Sequence, residues 1–174
     1  MVGILNPGCL ASALRDTIAT DEGTAGAPDS GYGHLVGGTV VKAPGQFSNL
    51  VGQYSRSGLD IPNPELLSGH PHILVQINSS EGCPNGCSSA FGRYQILAPS
   101  AGNMNFTPAS QDNWANRELT HDGALAAAKS GDFVGSMADA GAAWQSLPGS
   151  NLGRQQKKMG ATANAFLTAI GNCK

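Results

Sequence analysis

Charge is scarce in this chain. Lysine and arginine number 10 and aspartate and glutamate 12 among 174 residues, with a formal net charge of −2 and a pI near 6.0. No basic stripe exists to neutralise a row of phosphates, so nucleic acid is not an expected partner. The densest basic cluster, Arg154, Lys157 and Lys158, reads as the solvated face of a helix. Long apolar runs are missing too, and nothing approaches the roughly 20 residues of a membrane span. The opening stretch from Met1 to Gly8 is mildly apolar, but no basic segment precedes it and Pro7 and Gly8 break it. It is not read as a signal peptide, so an exported chain would have lost its leader or use another route. No internal repeat is evident. With 40% hydrophobic residues, the chain is expected to form one globular domain, 1–174, with a real core. No exposed apolar interface stands out, so a monomer is the expected state.

Glycine is in excess, 24 residues concentrated before Gly102. There are four cysteines. Cys83 and Cys87 bracket a Pro84-Asn85-Gly86 turn, which suits a local bridge. Cys9 and Cys173 would then staple the termini, stabilising the chain by roughly 2–5 kcal/mol and suiting an oxidising compartment. Two alternatives stay open: four free thiols, or Cys83 and Cys87 joining His70 and His72 around zinc. The second fits no standard finger spacing, and the reading carries no metal and no cofactor.

Periodicity divides the chain. Residues 9–22 read as a helix, with Leu14, Ile18 and Glu22 spaced i, i+4, i+8 on one apolar face. From Gly23 the composition turns to Gly, Pro, Ser and Asn. Residues 34–41 are expected as a hairpin around Gly37-Gly38, and 72–78 as a strand with Ile73, Val75 and Ile77 on one face. Residues 91–97 are expected as the return strand. Residues 42–69 look like a long insertion with one irregular helical turn. Beyond Asn105 the pattern is helical. Thr107-Pro108 is an N-cap with proline at N1, and Ala124 to Lys129 is a short helix closed by Gly131. Asp132 caps a helix carrying Phe133, Met137, Ala140 and Trp144. A last helix spans 154–170 with Met159, Ala163, Phe166, Leu167 and Ile170 inward. The expected architecture is α+β: a helical lobe (9–22 and 103–174) and a β-rich lobe (23–102), with a cleft at their junction.

Glu22 stands at that junction. Gly23 is a natural C′ residue, which puts Glu22 in the last turn of its helix. Partial burial and the negative end of the helix dipole both push its pKa upward. A carboxyl protonated near neutral pH is what a general acid requires. Periodicity alone leaves a solvated glutamate at a frayed helix end equally open.

The ordered series Glu22-Gly23-Thr24, Gly31-Tyr32, Val36-Gly37-Gly38, His70-Pro71, Gly92-Arg93-Tyr94-Gln95-Ile96-Leu97, Ser110-Gln111-Asp112, Gly123-Ala124-Leu125, Gly131-Asp132 and Trp144-Gln145-Ser146-Leu147-Pro148-Gly149 resembles the phage lambda endolysin-like family over roughly residues 12–171. The resemblance implies a lysozyme-like fold and an enzyme that cleaves the β-1,4 bond between N-acetylmuramic acid and N-acetylglucosamine of peptidoglycan as a lytic transglycosylase. It implies Glu22 as the catalytic residue. Tyr32, Asn78, Tyr94 and Gln95 are the candidate substrate contacts. The insertion and the cysteines depart from the family pattern.

A hydrolase would need a second carboxylate. Asp29 is the nearest in sequence, in a loop where a lone aspartate is more simply a turn residue. Two other readings are a muramidase that hydrolyses the same bond and a non-catalytic glycan-binding module on the same fold. The slightly acidic charge implies weak non-specific affinity for an anionic wall. Targeting is then expected from a partner, a larger assembly or a confined, extracytoplasmic or phage-delivered setting.

Overall fold

The computed structural model describes residues 6–77, 86–148, 150 and 158–172. The chain forms two compact units, one from 1–25 with 112–174, the other from 26–111.

The first unit is helical. Helix α1 spans Pro7–Asp21, with Pro7 in its first turn and the Asn6 side chain accepting the Gly8 N–H at 2.9 Å. This is the N-cap arrangement that satisfies one of the orphan donors at a helix start. Leu10, Ala13, Leu14 and Ile18 are buried along one stripe. Helix α1 packs against α4 (Ala124–Lys129) and α6 (Met159–Gly171), and α4 packs on α5 (Phe133–Ala140). The Asp132 carboxylate caps α5 by accepting the Gly135 N–H at 2.8 Å, as its sequence position predicts. Trp114 and Trp144 meet edge-to-face with ring centroids 5.7 Å apart.

Two helical expectations are corrected. Helix α5 ends at Ala140 and does not reach Trp144. The chain folds back there, and a Cβ on Gly141 would stand 3.1 Å from the Ser150 backbone. The inner stripe of α6 is Thr162, Phe166 and Ala169, while Leu167 is 65% exposed. Leu167 sits one residue, about 100° of helix rotation, away from Phe166, and the inner stripe is set by where α6 meets α1. The expected start of that helix, with Arg154 and Lys157, lies outside the described residues.

The second unit is β-rich. Strands β1 (His34–Leu35), β2 (Gly38–Lys42), β3 (Tyr54–Ser55), β4 (Leu59–Asp60), β5 (Leu74–Gln76) and β6 (Cys87–Ser88) are all paired antiparallel. They form a four-stranded sheet ordered β3-β2-β5-β6 and a two-stranded ribbon β1-β4. Val40, Ile73, Val75, Phe91, Tyr94, Ile96 and Phe106 build the core. Short helix α2 covers Ala98–Ala101; helix α3, Pro108–His121, starts in this unit behind the expected Thr107 cap and from Asp112 onward belongs to the first unit.

Residues 34–41 are not a hairpin. The 42–69 segment supplies β4 as the partner of β1 and β3 as a partner of β2, so neither strand needs the other. It holds two strands besides its 3-10 turns at Gly45–Leu50 and Pro64–Leu66. Residues 91–97 are not the return strand either. That place is taken by β6, while Phe91 and Ile96 bridge across a tight turn with Gly92 at φ 82° and Gln95 at φ 47°. Positive φ is incompatible with a continuous strand. Ile73 and Val75 are buried as predicted, but Ile77 is 54% exposed, because the strand ends at Gln76.

Neither Cys9 nor Cys87 is a free thiol. Cys83 and Cys173, the partners expected for them, lie outside the described residues.

Candidate active site

Glu22 is the C-cap of α1. The N–H of Gly23 bonds to the Thr20 carbonyl at 3.1 Å and that of Thr24 to the Ala19 carbonyl at 2.8 Å. This reciprocal pair is a Schellman motif, which needs a left-handed residue at C′, and Gly23 supplies φ 80°. Thr24 is fully buried, and its hydroxyl adds a second bond to the Ala19 carbonyl at 3.1 Å. The Glu22-Gly23-Thr24 triplet therefore has a mechanical meaning. It stops the helix at one residue and fixes the backbone from which the carboxylate projects.

The half-buried Glu22 side chain then meets a loop of the same unit. The Ser146 hydroxyl donates to Glu22 Oε1 at 2.7 Å. Trp144 and Leu147 on either side of Ser146 are buried, so the loop is held by its apolar flanks and presents the hydroxyl between them. With Oε1 engaged as an acceptor, a proton on the carboxyl is directed to Oε2. The preceding residue, Asp21, is buried and accepts a hydrogen bond from Thr162 on α6. The end of α1 is thus tied at adjacent residues to two different parts of the helical unit.

The other candidates belong to the β-rich unit. The ring of Tyr94 is only 1% exposed, which corrects its assignment as a substrate contact. It packs edge-to-face on Tyr32, centroids 6.5 Å apart, and Arg93 lies over both rings. Tyr32 is half-buried. The Gln95 amide donates to the Gly92 carbonyl at 2.9 Å and the His34 carbonyl at 3.3 Å, holding its own turn. Asp29 is exposed at φ 49°, inside a turn. Asn78 lies outside the described residues.

Sequence reasoning missed the residue that organises this unit. Gln111 is fully buried. Its Oε1 accepts the Arg93 N–H at 3.0 Å, and its Nε2 donates to the carbonyls of Tyr32 and Phe106, both at 3.0 Å. A Cβ on Gly92 would stand 2.1 Å from Gln111 Oε1, so glycine is required where the amide meets the turn. The signals were the Gly92-Arg93-Tyr94-Gln95 and Ser110-Gln111-Asp112 motifs. For Ser146 the signal was the Trp144 to Gly149 motif.

His70 is a structural histidine. Nδ1 accepts the His72 N–H at 2.9 Å, so Nε2 carries the proton and donates to the Ile96 carbonyl at 3.1 Å. Burial, more than any neighbouring charge, lowers its pKa to about 4. Both ring nitrogens are engaged, which leaves no lone pair for the zinc alternative. Among the described residues no group of three or more His, Cys, Asp or Glu could hold a metal ion.

The Endolysin family model matches residues 12–173. The chain belongs to the endolysin family. The endolysin of Escherichia phage lambda is 31% identical over 114 residues, 62% of this chain and 69% of the relative. The solved lysozyme of bacteriophage lambda in complex with a chitohexasaccharide is 27% identical and covers 97% of each chain at a TM-score of 0.66. A second solved lambda lysozyme, 24% identical, covers 99% of this chain and 97% of its own with a TM-score of 0.62. The fold of this endolysin family member is accordingly lysozyme-like and α+β, and the family is one of peptidoglycan-degrading enzymes. Among the described residues no helix is long and apolar enough to cross a membrane.

Proposed function

We propose that the protein is a lytic transglycosylase that cleaves the β-1,4 bond between N-acetylmuramic acid and N-acetylglucosamine, with Glu22 as its acid and base. The carrying observation is the Glu22 carboxyl itself, half-buried on a capped helix end with Oε1 engaged by Ser146. In the proposed reaction Glu22 Oε2 delivers its proton to the glycosidic oxygen as the bond to C1 breaks and an oxocarbenium-like state forms. The resulting carboxylate takes the proton from the muramic acid 6-hydroxyl. Its oxygen closes on C1 to give a 1,6-anhydro end, with no water consumed. One carboxyl returns to its starting state. Asp29 is an exposed turn residue with positive φ, which supports a mechanism that does not use it. The half-buried Tyr32 is the described aromatic residue of the motif series best suited to a sugar contact.

The enzyme acts on peptidoglycan outside the cytoplasm or delivered by a phage, as a monomer or as a module of a larger assembly. Local Cys83–Cys87 and terminal Cys9–Cys173 bridges suit that setting, and the engaged state of Cys9 and Cys87 supports them.

The test is mass spectrometry of muropeptides released from purified sacculi by the wild type and by Glu22→Gln. Anhydro-muropeptides that vanish in the variant are expected. Reducing ends that depend equally on Glu22 would replace this reading with hydrolysis. Near-full release by the variant would remove Glu22 from the chemistry.

A further inference from the structure

The 42–69 segment contributes Tyr54 and Arg56 to a groove on the four-stranded sheet that the catalytic reading does not use. The groove has a volume of about 350 Å³ and is lined by Gly37, Gly38, Thr39, Tyr54, Arg56, Gln76 and Ile77. That lies at the small end of the roughly 300–1,000 Å³ typical of ligand pockets.

Strand register explains its form. Thr39 of β2 pairs directly with Tyr54 of β3 on one side and with Gln76 of β5 on the other. Residues directly opposite across antiparallel strands share a face, so phenol, hydroxyl and amide stand in one row. With strands about 4.8 Å apart, the row spans about 10 Å, the length of roughly three extended residues. The neighbouring positions Val40 and Val75 point into the core, which leaves this row on the outer face. The two glycines make the floor. A Cβ on Gly37 would stand 2.3 Å from the Arg56 carbonyl, and one on Gly38 2.3 Å from the Gln76 carbonyl. Tyr54 is 68% exposed and Ile77 54% exposed at the rim.

Arg56 sets the chemistry. It is exposed, and its guanidinium is a planar fork suited to a carboxylate. No carboxylate of a described residue forms an ion pair with it. The ion pairs among the described residues use Arg15, His34 and His121. A neutral polymer of N-acetylglucosamine offers such a group hydroxyl and amide oxygens but no carboxylate for the charge-assisted pairing. The acidic groups of peptidoglycan lie on its short stem peptides, which also carry amides for Gln76 and Thr39 and alanine methyls for Tyr54 and Ile77.

We propose that this groove binds the acidic stem peptide of peptidoglycan, with Arg56 on a peptide carboxylate. The assignment rests on the substrate class proposed above but not on the chemistry at Glu22. It gives Tyr54 and Arg56 of the 42–69 segment a role in substrate selection: strands that carry acidic peptides are held at a second point.

The first experiment titrates the soluble tripeptide L-Ala-γ-D-Glu-L-Lys into isotope-labelled protein and follows backbone amide resonances. Saturable shifts are expected at Gly38, Thr39, Arg56 and Gln76. Arg56→Ala should weaken the peptide about tenfold or more, as expected for a charge-assisted hydrogen bond, and Arg56→Lys less. Shifts elsewhere, or none at millimolar peptide, would overturn the proposal. The second experiment compares sacculi with sacculi whose peptide carboxylates have been amidated with carbodiimide and ammonia. Arg56→Ala should move the ratio of the two rates toward the amidated wall, and equal losses on both would count against the groove. Glu22→Gln separates the two readings. It should abolish turnover of either substrate and leave tripeptide binding intact, so failed catalysis with intact binding indicts only the assignment of Glu22.

Discussion

The bond from Ser146 to Glu22 is a single contact, and its consequence is specific. Ser146 does not exchange protons with substrate in the proposed reaction, so it is a positioning residue. It holds one carboxyl oxygen and thereby aims the other. Misplacing a reacting group by about 1 Å can cost a hundredfold in rate. Ser146→Ala should therefore lower kcat tenfold or more with little change in KM. Loss of a hydrogen bond to the ionised carboxyl disfavours that form, so the alkaline fall of the pH–rate profile should move to higher pH. Ser146→Thr keeps the hydroxyl and should restore most of both. An alanine variant with wild-type rate and profile would reduce the contact to packing. The position of Glu22 at the helix end was legible in the sequence because helical spacing and the C′ glycine locate it. Ser146 was not, since a separation of 124 positions in the chain is bridged only by tertiary packing. Tyr94 was misread for a related reason: a phenol in a polar-looking stretch gives no sign that its ring is core.

Elements bounded by local chemistry were the legible ones. Helix α3 begins behind Thr107 and α5 behind Asp132, as caps dictate. Asp132→Ala removes the acceptor of the Gly135 N–H and should cost about 1 kcal/mol of stability. Urea unfolding measures this, and an unchanged midpoint would show the cap to be replaceable by solvent. Strand partners were not legible, because pairing is decided by segments far apart in the chain. Residues 34–41 have the look of a hairpin, yet β1 and β2 are each satisfied by strands from the insertion, whose weak periodicity concealed them. The turn at Gly92 reads as a strand because Phe91, Tyr94 and Ile96 are residue types enriched in strands. Only the positive φ of Gly92 and Gln95 reveals the reversal.

For the whole molecule, His70 links stability to pH. Its pKa is near 6.5 when unfolded and about 4 when folded. The unfolded chain therefore binds the extra proton between those values, and stability falls as pH drops through that window. Full stability from this group is present above pH 6.5. From pH 7 to pH 5 its contribution should decline by about 2 kcal/mol. His72 is the charged neighbour that reinforces the effect when protonated. His70→Gln, compared with the wild type by denaturant unfolding at both pH values, should lose most of that difference. An identical decline in both proteins would place the acid sensitivity elsewhere. The overall class, a helical unit with a β-rich one, was readable from the shift between period-two and helical patterning. Packing details such as the inner stripe of α6 were not, since propensity does not state which neighbour a helix will meet.

Helix α1 is pinned at both ends, by the Asn6 cap and by the Schellman turn at Gly23. It works as an indexed spindle whose length sets the phase of its final residue. Adding or deleting one residue between the caps would rotate Glu22 by about 100° and shift it about 1.5 Å along the axis, out of line with Ser146. Substitutions on the outer face leave that phase intact. The outer face of the helix can therefore drift in composition while its residue count stays locked, and the geometry of the carboxyl is inherited as a length as much as an identity.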